Sequence, residues 1–326
     1  MFESLRERHA NVTVVIVNWN GGRFLERCLL ALMAQTIAPQ EIILVDNASS
    51  DASLDIARRF PSVCVLEQNE NLGFSRGNNL AIRAASAESE WIALLNPDAF
   101  SEPCWLEELL TAARDFPAFD IFGSKLVNAA NPTVLDGAGD AYHMSGRVWR
   151  IGHGSAVSSF SQQAPREVFS PCAAAALYRR SALLKVGGFD EDYFCYVEDV
   201  DLGFRLRLAG YCCLYVPSSV AHHVGSGTTG GQHSDFAVYH GHRNLVWTYV
   251  KNMPGVLFWA FLPLHLAMNL AALAKFTLRG QGAVMFRAKR DALLGLPKMW
   301  NKRRQVQSHR VISWRAVLRV MTKGLT

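Results

Sequence analysis

Paired cysteine spacing is missing from this chain. Its seven cysteines include no Cys-x-x-Cys, and Cys212 and Cys213 are adjacent, so neither a zinc site nor a disulfide framework is expected and a reducing cytoplasm fits best. Glycine-rich nucleotide signatures are missing too. No G-x-G-x-x-G follows the first apolar run and no G-x-x-x-x-G-K-[ST] occurs, which disfavours a dinucleotide dehydrogenase and a P-loop NTPase. The start, MFESLRERHANVTVVIVNWN, passes from charge to an apolar run and straight into Asn-Trp-Asn, without the small-residue cleavage pattern of a signal peptide. The body is therefore expected to stay in the cytoplasm. Acids are nearly absent from one end: from Lys275 onward 13 Lys and Arg face a single acid, Asp291. That segment carries +12, and since the whole chain carries +5, residues 1–274 carry −7.

What is present suits an α/β domain with a basic appendage. A chain of 326 residues with 50% hydrophobic content can build a full core, and the boundary is drawn between a catalytic domain, 1–250, and a basic amphipathic tail, 251–326. Four apolar runs, Val12 to Val17, Glu41 to Val45, Val63 to Leu66 and Trp91 to Leu95, alternate with helical periodicity at Phe24 to Met33 and Asn79 to Ala85. This βαβα rhythm predicts a mostly parallel, Rossmann-like sheet with flanking helices. Each run ends in polar residues: Asn18-Trp19-Asn20, Asp46-Asn47, Gln68 to Asn71 and Asn96-Pro97-Asp98. Any one of these is ordinary turn chemistry, but four on the carboxyl edge of a parallel sheet mark a ligand cleft. Asp46 can accept hydrogen bonds from a base or ribose. Gly73 and Gly77 allow close approach, with Arg76 between them suited to diphosphate; a glycine-bearing helix start is the alternative. Asp98, after Pro97, is a hard oxygen ligand of the kind Mg2+ or Mn2+ accepts.

The most informative stretch is Val186 to Tyr211, which gathers Asp190, Glu191, Asp192, Glu198, Asp199 and Asp201. Its end predicts a helix over Leu202 to Ala209, with Glu198, Asp199 and Asp201 at the first turn. Helix-dipole and capping roles would account for acids there; a catalytic role is the other reading. Arg205, four residues beyond Asp201, is placed to pair with it. Phe169 to Tyr178 reads as a small-residue strand, and Asn128 to Gln163 as loops beside an acceptor site. Gly255 to Ala274 is almost wholly apolar but interrupted by Pro263, His265 and Asn269, which points to a tilted, re-entrant or surface-lying helix more than a full crossing. Downstream, Phe286, Leu293, Trp300 and Trp314 alternate with basic residues, as in interfacial amphipathic helices on anionic lipid. A solvated basic face is the alternative, and the interleaved apolar residues disfavour nucleic acid.

Taken in order, VTVVIVNWN, ILVDNASSD, NENLGFSRGNN, LLNPD, VGGFDEDYFCYVEDVDLGFRLRLAGY and HHVGSGT resemble glycosyltransferase family 2, over about Val12 to Pro254. The Asn-Trp-Asn start and the Tyr-x-Glu-Asp-x-Asp block look most like its rhamnosyltransferase-type branch. The resemblance implies a GT-A fold and an inverting transfer from a nucleotide-diphosphate sugar, dTDP-rhamnose foremost, to a polyprenyl-diphosphate-linked saccharide of the bacterial surface. It implies Asp199 as general base with Glu198 beside it. Asn18, Asn20, Asp46, Asn47, Gly73, Arg76, Asn78 and Asn96 would line the nucleotide sugar. Asp98 and His223 would hold a divalent metal, Asn96 standing where the family has the first Asp of its metal motif and His222 being the other candidate histidine. Asp201, Arg205 and Arg243 would support the acceptor side. The implied location is the cytoplasmic face of the inner membrane, peripheral or shallowly embedded; the oligomeric state is left open. The rivals are a sugar-phosphate nucleotidylyltransferase, which would carry a Gly-rich, basic start in place of Asn-Trp-Asn, and an inactive lipid-bound scaffold of the same fold.

Overall fold

The computed structural model describes residues 9–160, 164–225, 230–231 and 233–324. The charged start of the chain, the end of the Asn128 to Gln163 segment and the Ser-Gly-Thr of the HHVGSGT motif lie outside the described residues. The β-branched run after Asn11 forms β1 (His9–Asn18), paired in parallel with β2 (Ala38–Asp46) on one side and β4 (Trp91–Leu95) on the other, with β3 (Val63–Glu67) beyond β2. Helices α1 (Gly22–Met33), α2 (Ser53–Arg58) and α3 (Gly73–Ala84) connect them. In α1, Leu25, Cys28, Leu29 and Leu32 are buried, the spacing of one helical face.

Beyond β4 the sheet becomes mixed. In chain order follow β5 (Ala99–Ser101), α4 (Trp105–Asp115), β6 (Ile121–Asn128), β7 (Leu135–Gly137), β8 (Asp140–Tyr142), β9 (Val148–Arg150), β10 (Arg166–Val168), β11 (Ala175–Arg179), α5 (Arg180–Lys185), α6 (Glu198–Leu208) and β12 (Cys213–His223). The sheet order is β10-β12-β6-β11-β4-β1-β2-β3. β11 lies antiparallel to β4 and β6 and so joins the parallel half to the parallel pair of β6 and β12. Two expectations shift here. The strand expected over Phe169 to Tyr178 is shorter, because Pro171 has no N–H to donate and the Ala173 N–H turns to the Asp199 carboxylate at 3.2 Å. The helix expected from Leu202 starts a turn earlier, at Glu198.

The chain closes with α7 (Asp235–Asn252), α8 (Gly255–Leu278), α9 (Gly282–Leu294), α10 (Leu296–Ser308) and α11 (Trp314–Val320). The 250/251 boundary thus falls inside α7. One apolar cluster joins Tyr142, Phe169, Tyr193 and Phe204 to Trp247, Tyr249, Phe258, Met299 and Val317, so the closing helices pack on the body. α8 runs unbroken through Pro263 for 24 residues. It is long and apolar enough to cross a membrane by length and composition, and only 17% of its most apolar window is buried. Trp259, Leu266, Leu270 and Leu278 of α8 and Phe286, Leu293 and Leu294 of α9 are exposed.

Candidate active site

The carboxyl ends of β1, β2 and β4 and the start of α3 form one wall of a cleft of about 760 Å3, presenting Val17, Trp19, Asn47, Gly73, Asn96 and Asp98. Behind this wall, buried Asn18 donates to Asp46 Oδ1 at 2.9 Å and to Ser49 Oγ at 3.1 Å, while Asp46 Oδ2 accepts the Ser49 N–H at 2.9 Å. Asn20, at φ +49°, accepts the Ser50 N–H at 2.8 Å. These bonds shape the loop that carries Asn47. Asn47 Nδ2 donates to the Gly73 carbonyl at 3.2 Å, leaving its buried Oδ1 without a partner. Gly73 sits at φ +75°, where a Cβ would stand 2.6 Å from Phe194, and the next N–H, of Phe74, donates to the Phe194 carbonyl at 2.7 Å. The β3–α3 loop is thereby docked on the acidic turn. Asn78 donates to the Phe74 carbonyl. Arg76 is half exposed, 3.7 Å from both Glu70 and Glu191, off the cleft wall.

Strand pairing sets the next group. β5 pairs with the end of β12, His223 opposite Ala99, which brings His223 Nε2 to 3.3 Å from Asp98 Oδ1. β7 places Asp136 behind the histidine, where its Oδ2 accepts from His223 Nδ1 at 2.8 Å and from Arg150 at 2.5 Å. Burial alone would raise the Asp136 pKa; the His223 hydrogen bond and the Arg150 guanidinium outweigh it and hold it at about 2. A carboxylate on Nδ1 fixes the tautomer that leaves Nε2 free to ligate, and buried Nε2 has no hydrogen-bond partner. His222 instead faces Glu102 at 3.1 Å and does not line the cleft. A hard carboxylate oxygen and an imidazole nitrogen 3.3 Å apart are a donor set that Mg2+ or Mn2+ accepts. Among the described residues no group of three or more potential ligands converges, so two protein donors are what the cleft offers.

The opposite wall is acidic. Asp140, cross-strand from Arg150 in the β8–β9 hairpin, lines the cleft with Glu198 and Asp199 at the start of α6. Burial pushes Asp199 above the ordinary carboxylate value, opposed by the Ala173 N–H and the Arg150 charge. Glu198 and Asp140 are pushed well above theirs by burial and then by the Asp199 charge. Glu198 Oε2 has no partner. Directly before this pair, Tyr196 and Val197 both have positive φ, +65° and +68°. That conformation is rare for a β-branched residue and is sustained only where the surroundings enforce it. Asn244, wholly buried in α7, does so by donating to the Cys195 carbonyl at 2.9 Å and the Tyr196 carbonyl at 2.8 Å.

Asp201 and Arg205 lie on α6 itself, outside the cleft lining. Asp201 is buried between Arg205 at 2.8 Å, Lys251 at 2.7 Å and Asn252 at 2.7 Å. Burial opposes its ionisation, and Lys251 with Arg205 keep its pKa low. Lys251 also pairs with Asp190, and Lys302 of α10 binds Asp190 and Asp192. Arg243 stacks over Trp247 at 4.2 Å, outside the cleft lining. Of the residues named from sequence, the cleft brings together Asn47, Gly73, Asn96, Asp98, Glu198, Asp199 and His223. Sequence reading missed Asp136, Asp140 and Asn244; the two close acids in Asp-Gly-Ala-Gly-Asp were the only local signal for the first two.

A mixed sheet of this order, with one cleft at the carboxyl edge of its parallel half, defines a GT-A-type glycosyltransferase. The mannosyltransferase PcManGT from Pyrobaculum calidifontis, solved in complex with GDP-Man and Mn2+, superposes with a TM-score of 0.55 at 18% identity, over 95% of this chain and 86% of that one. The model of Glycosyl transferase family 2 matches residues 13–187, and the chain belongs to that family. It is 31% identical over 255 residues to the N-acetylglucosaminyl-diphospho-decaprenol L-rhamnosyltransferase of Mycobacterium tuberculosis (strain ATCC 25618 / H37Rv), covering 70% of this chain and 80% of the relative. It is 28% identical over 228 residues to rhamnosyltransferase WbbL of Escherichia coli (strain K12), covering 65% of this chain and 83% of the relative.

Proposed function

We propose that this glycosyltransferase is metal-dependent and inverting, and that it moves rhamnose from a nucleotide-diphosphate donor, dTDP-rhamnose foremost, to a polyprenyl-diphosphate-linked saccharide in bacterial surface polysaccharide synthesis. The carrying observation is the cleft itself, whose lining holds Asp98 and His223, 3.3 Å apart, together with the Glu198-Asp199 pair. In this reading Asn47, Gly73 and Asn96 cradle the donor, with Asn18, Asn20, Asp46 and Asn78 shaping that wall and Arg76 at its edge. Asp98 and the His223 Nε2 would hold the metal, with donor diphosphate oxygens completing its shell. Bound there, a divalent cation supplies positive charge against the departing diphosphate. Asp199 takes the acceptor hydroxyl proton, and its raised pKa makes it a stronger base than an ordinary aspartate. Glu198 orients the acceptor, while Asp201 and Arg205 fix α6 from outside the cleft lining and Arg243 serves the acceptor side.

Residues 1–250 would form the catalytic domain and 251–326 the part seated peripherally on the cytoplasmic face of the membrane. The exposed Trp259, Leu266 and Leu270, with Phe286 beside Arg287, support that seat. The names of the relatives support the sugar and the lipid-linked acceptor. The deciding experiment incubates detergent-purified protein and Mg2+ or Mn2+ with each common nucleotide sugar, following nucleoside diphosphate release with and without a polyprenyl-linked saccharide extract. Acceptor-stimulated release from dTDP-rhamnose is expected. Release from no donor, with liposome binding intact, would leave the inactive scaffold.

A further inference from the structure

The closing helices gather cations beside the cleft rim around a single carboxylate, Asp291, which pairs with Arg290 at 2.8 Å and accepts the Tyr239 hydroxyl at 2.7 Å. The α8–α9 turn rests on that rim: Gln281 donates to the His233 carbonyl at 3.0 Å and to Asp235 Oδ1 at 2.7 Å, and His233 lines the cleft. α7 and α9 therefore start side by side at the mouth. Just inside it, the Phe236 ring of the cleft wall lies 4.5 Å from the His240 ring, whose Nδ1 is 3.5 Å from an Arg243 nitrogen. Across the seam the Arg287 guanidinium lies 4.9 Å from the Tyr239 ring, which also receives Arg243 at 5.5 Å.

Arg243 feels the Asp291 charge, which Arg290 shares at 2.8 Å, so one carboxylate serves several cations. Arg243 spends its donors on neutral acceptors, Asn244 Oδ1 and the Asp192 carbonyl. The charges reach His240, whose pKa is lowered to about 4 by burial and then by Arg243 and Arg287. The same seam holds a largely buried lysine with no counterion: Lys289 donates only to the His242 carbonyl and Asn269 Oδ1. Beside the arginines the surface turns apolar, with Phe286 66% and Leu278 90% exposed. An excess of cations over the one carboxylate, next to an apolar exit, fits a ligand with a multiply charged anionic group and a hydrocarbon chain. A guanidinium fork matches phosphate oxygens in pairs.

We propose that Arg243 and Arg287 seat the diphosphate of an isoprenoid-diphosphate acceptor, with Phe286 and Leu278 marking where its chain leaves for the bilayer. The proposal rests on the reading that the acceptor is lipid-linked. It would lay the acceptor saccharide from the seam past Phe236 toward Asp199. Phospholipid headgroups share the anionic chemistry, so the test has an arm for each source.

Full-length protein in detergent is titrated calorimetrically with farnesyl diphosphate, and separately sedimented with phosphatidylcholine vesicles containing phosphatidylglycerol. Farnesyl diphosphate should bind, and Arg287→Gln should weaken it about tenfold or more. Nucleotide-sugar affinity and vesicle sedimentation should each change by less than about twofold, the span of ordinary surface substitutions. Arg243→Gln should behave alike, with Arg287→Gln deciding the matter if the half-buried change unfolds the protein. No binding of farnesyl diphosphate, unchanged binding in Arg287→Gln, or an equal loss of vesicle binding would each overturn the seat. Because the readout is binding, a protein that grips farnesyl diphosphate through Arg287 yet transfers no sugar refutes the transfer reading alone. One that transfers sugar yet ignores Arg287→Gln refutes the seat alone.

Discussion

The two walls of the cleft are built on different principles. The wall from β1 to β4 is assembled from short loops, neutral amides and main-chain bonds, with Asp46 and Asn18 satisfying one another behind it. The wall from the β8–β9 hairpin and α6 crowds Asp140, Glu198 and Asp199 into burial, on a turn with two left-handed non-glycine residues, held by contacts from α7. A preformed wall of amides and main-chain groups, with Asp98 among them, suits recognition of a donor. A strained, charged wall suits proton transfer, because the groups that perturb a carboxylate are the groups that make it reactive. The contrast also teaches that α7 belongs to the chemistry as much as to the packing.

The hardest blow to this contrast is Asp199→Asn. Transfer should fall by about two to four orders of magnitude, the usual scale for a general base, while calorimetric donor affinity stays near the parent's. A parallel loss of donor binding would erase the distinction between the walls. Next is Lys251→Met, which leaves buried Asp190 with Lys302 alone and buried Asp201 with Arg205 alone. Urea unfolding should show a loss of about 3–5 kcal/mol at neutral pH. Both carboxylates have depressed native pKa values, burial being outweighed for Asp190 by Lys251 and Lys302 and for Asp201 by Lys251 and Arg205. Their pairing therefore stabilises above the ordinary carboxylate range and fades as pH falls through it, so the deficit should shrink below about pH 4.

A smaller effect sharpens the comparison from α7. Asn244→Asp keeps the shape but presents oxygens to the Cys195 and Tyr196 carbonyls, releasing the turn before Glu198. Steady-state kinetics should show kcat down about tenfold to a hundredfold, from two lost hydrogen bonds of about 1 kcal/mol each and released strain, with donor KM little changed. An equal rise in donor KM would show the turn serving both walls. Smallest is Arg150→Gln. Arg150 opposes the burial-driven rise of Asp199, so its loss should move the acid limb of kcat/KM to higher pH. A limb that stays put or moves down would detach Asp199 from the titration.

Much of the first wall was legible because it is local. β-branched runs ending in Asn and Asp name the strands and the cleft edge together, and Asp98 follows its strand directly. Asp199 was legible from an unusual density of acids. The partners that give those residues their character were not, because they come from far along the chain: Asp136 meets His223 across 87 positions and Asn244 meets Tyr196 across 48. Nothing near either residue announces the contact. The tail was legible in part. Its charge and apolar periodicity are what a surface-bound appendage would show, yet Lys302 reaches Asp190 and Trp247 donates to the Ala292 carbonyl, so the same helices complete the body.

The α8–α9 turn on the cleft rim has a geometric consequence. In the proposed seat, those helices set how deep the protein sits in the lipid, and the Gln281 contacts tie that depth to the height of the cleft above the headgroups. Asp199 would then work at a fixed altitude, and the molecule would act as a gauge. A lipid-borne glycan whose growing end reached that height would be extended, and one already longer or still shorter would present its hydroxyl at the wrong level.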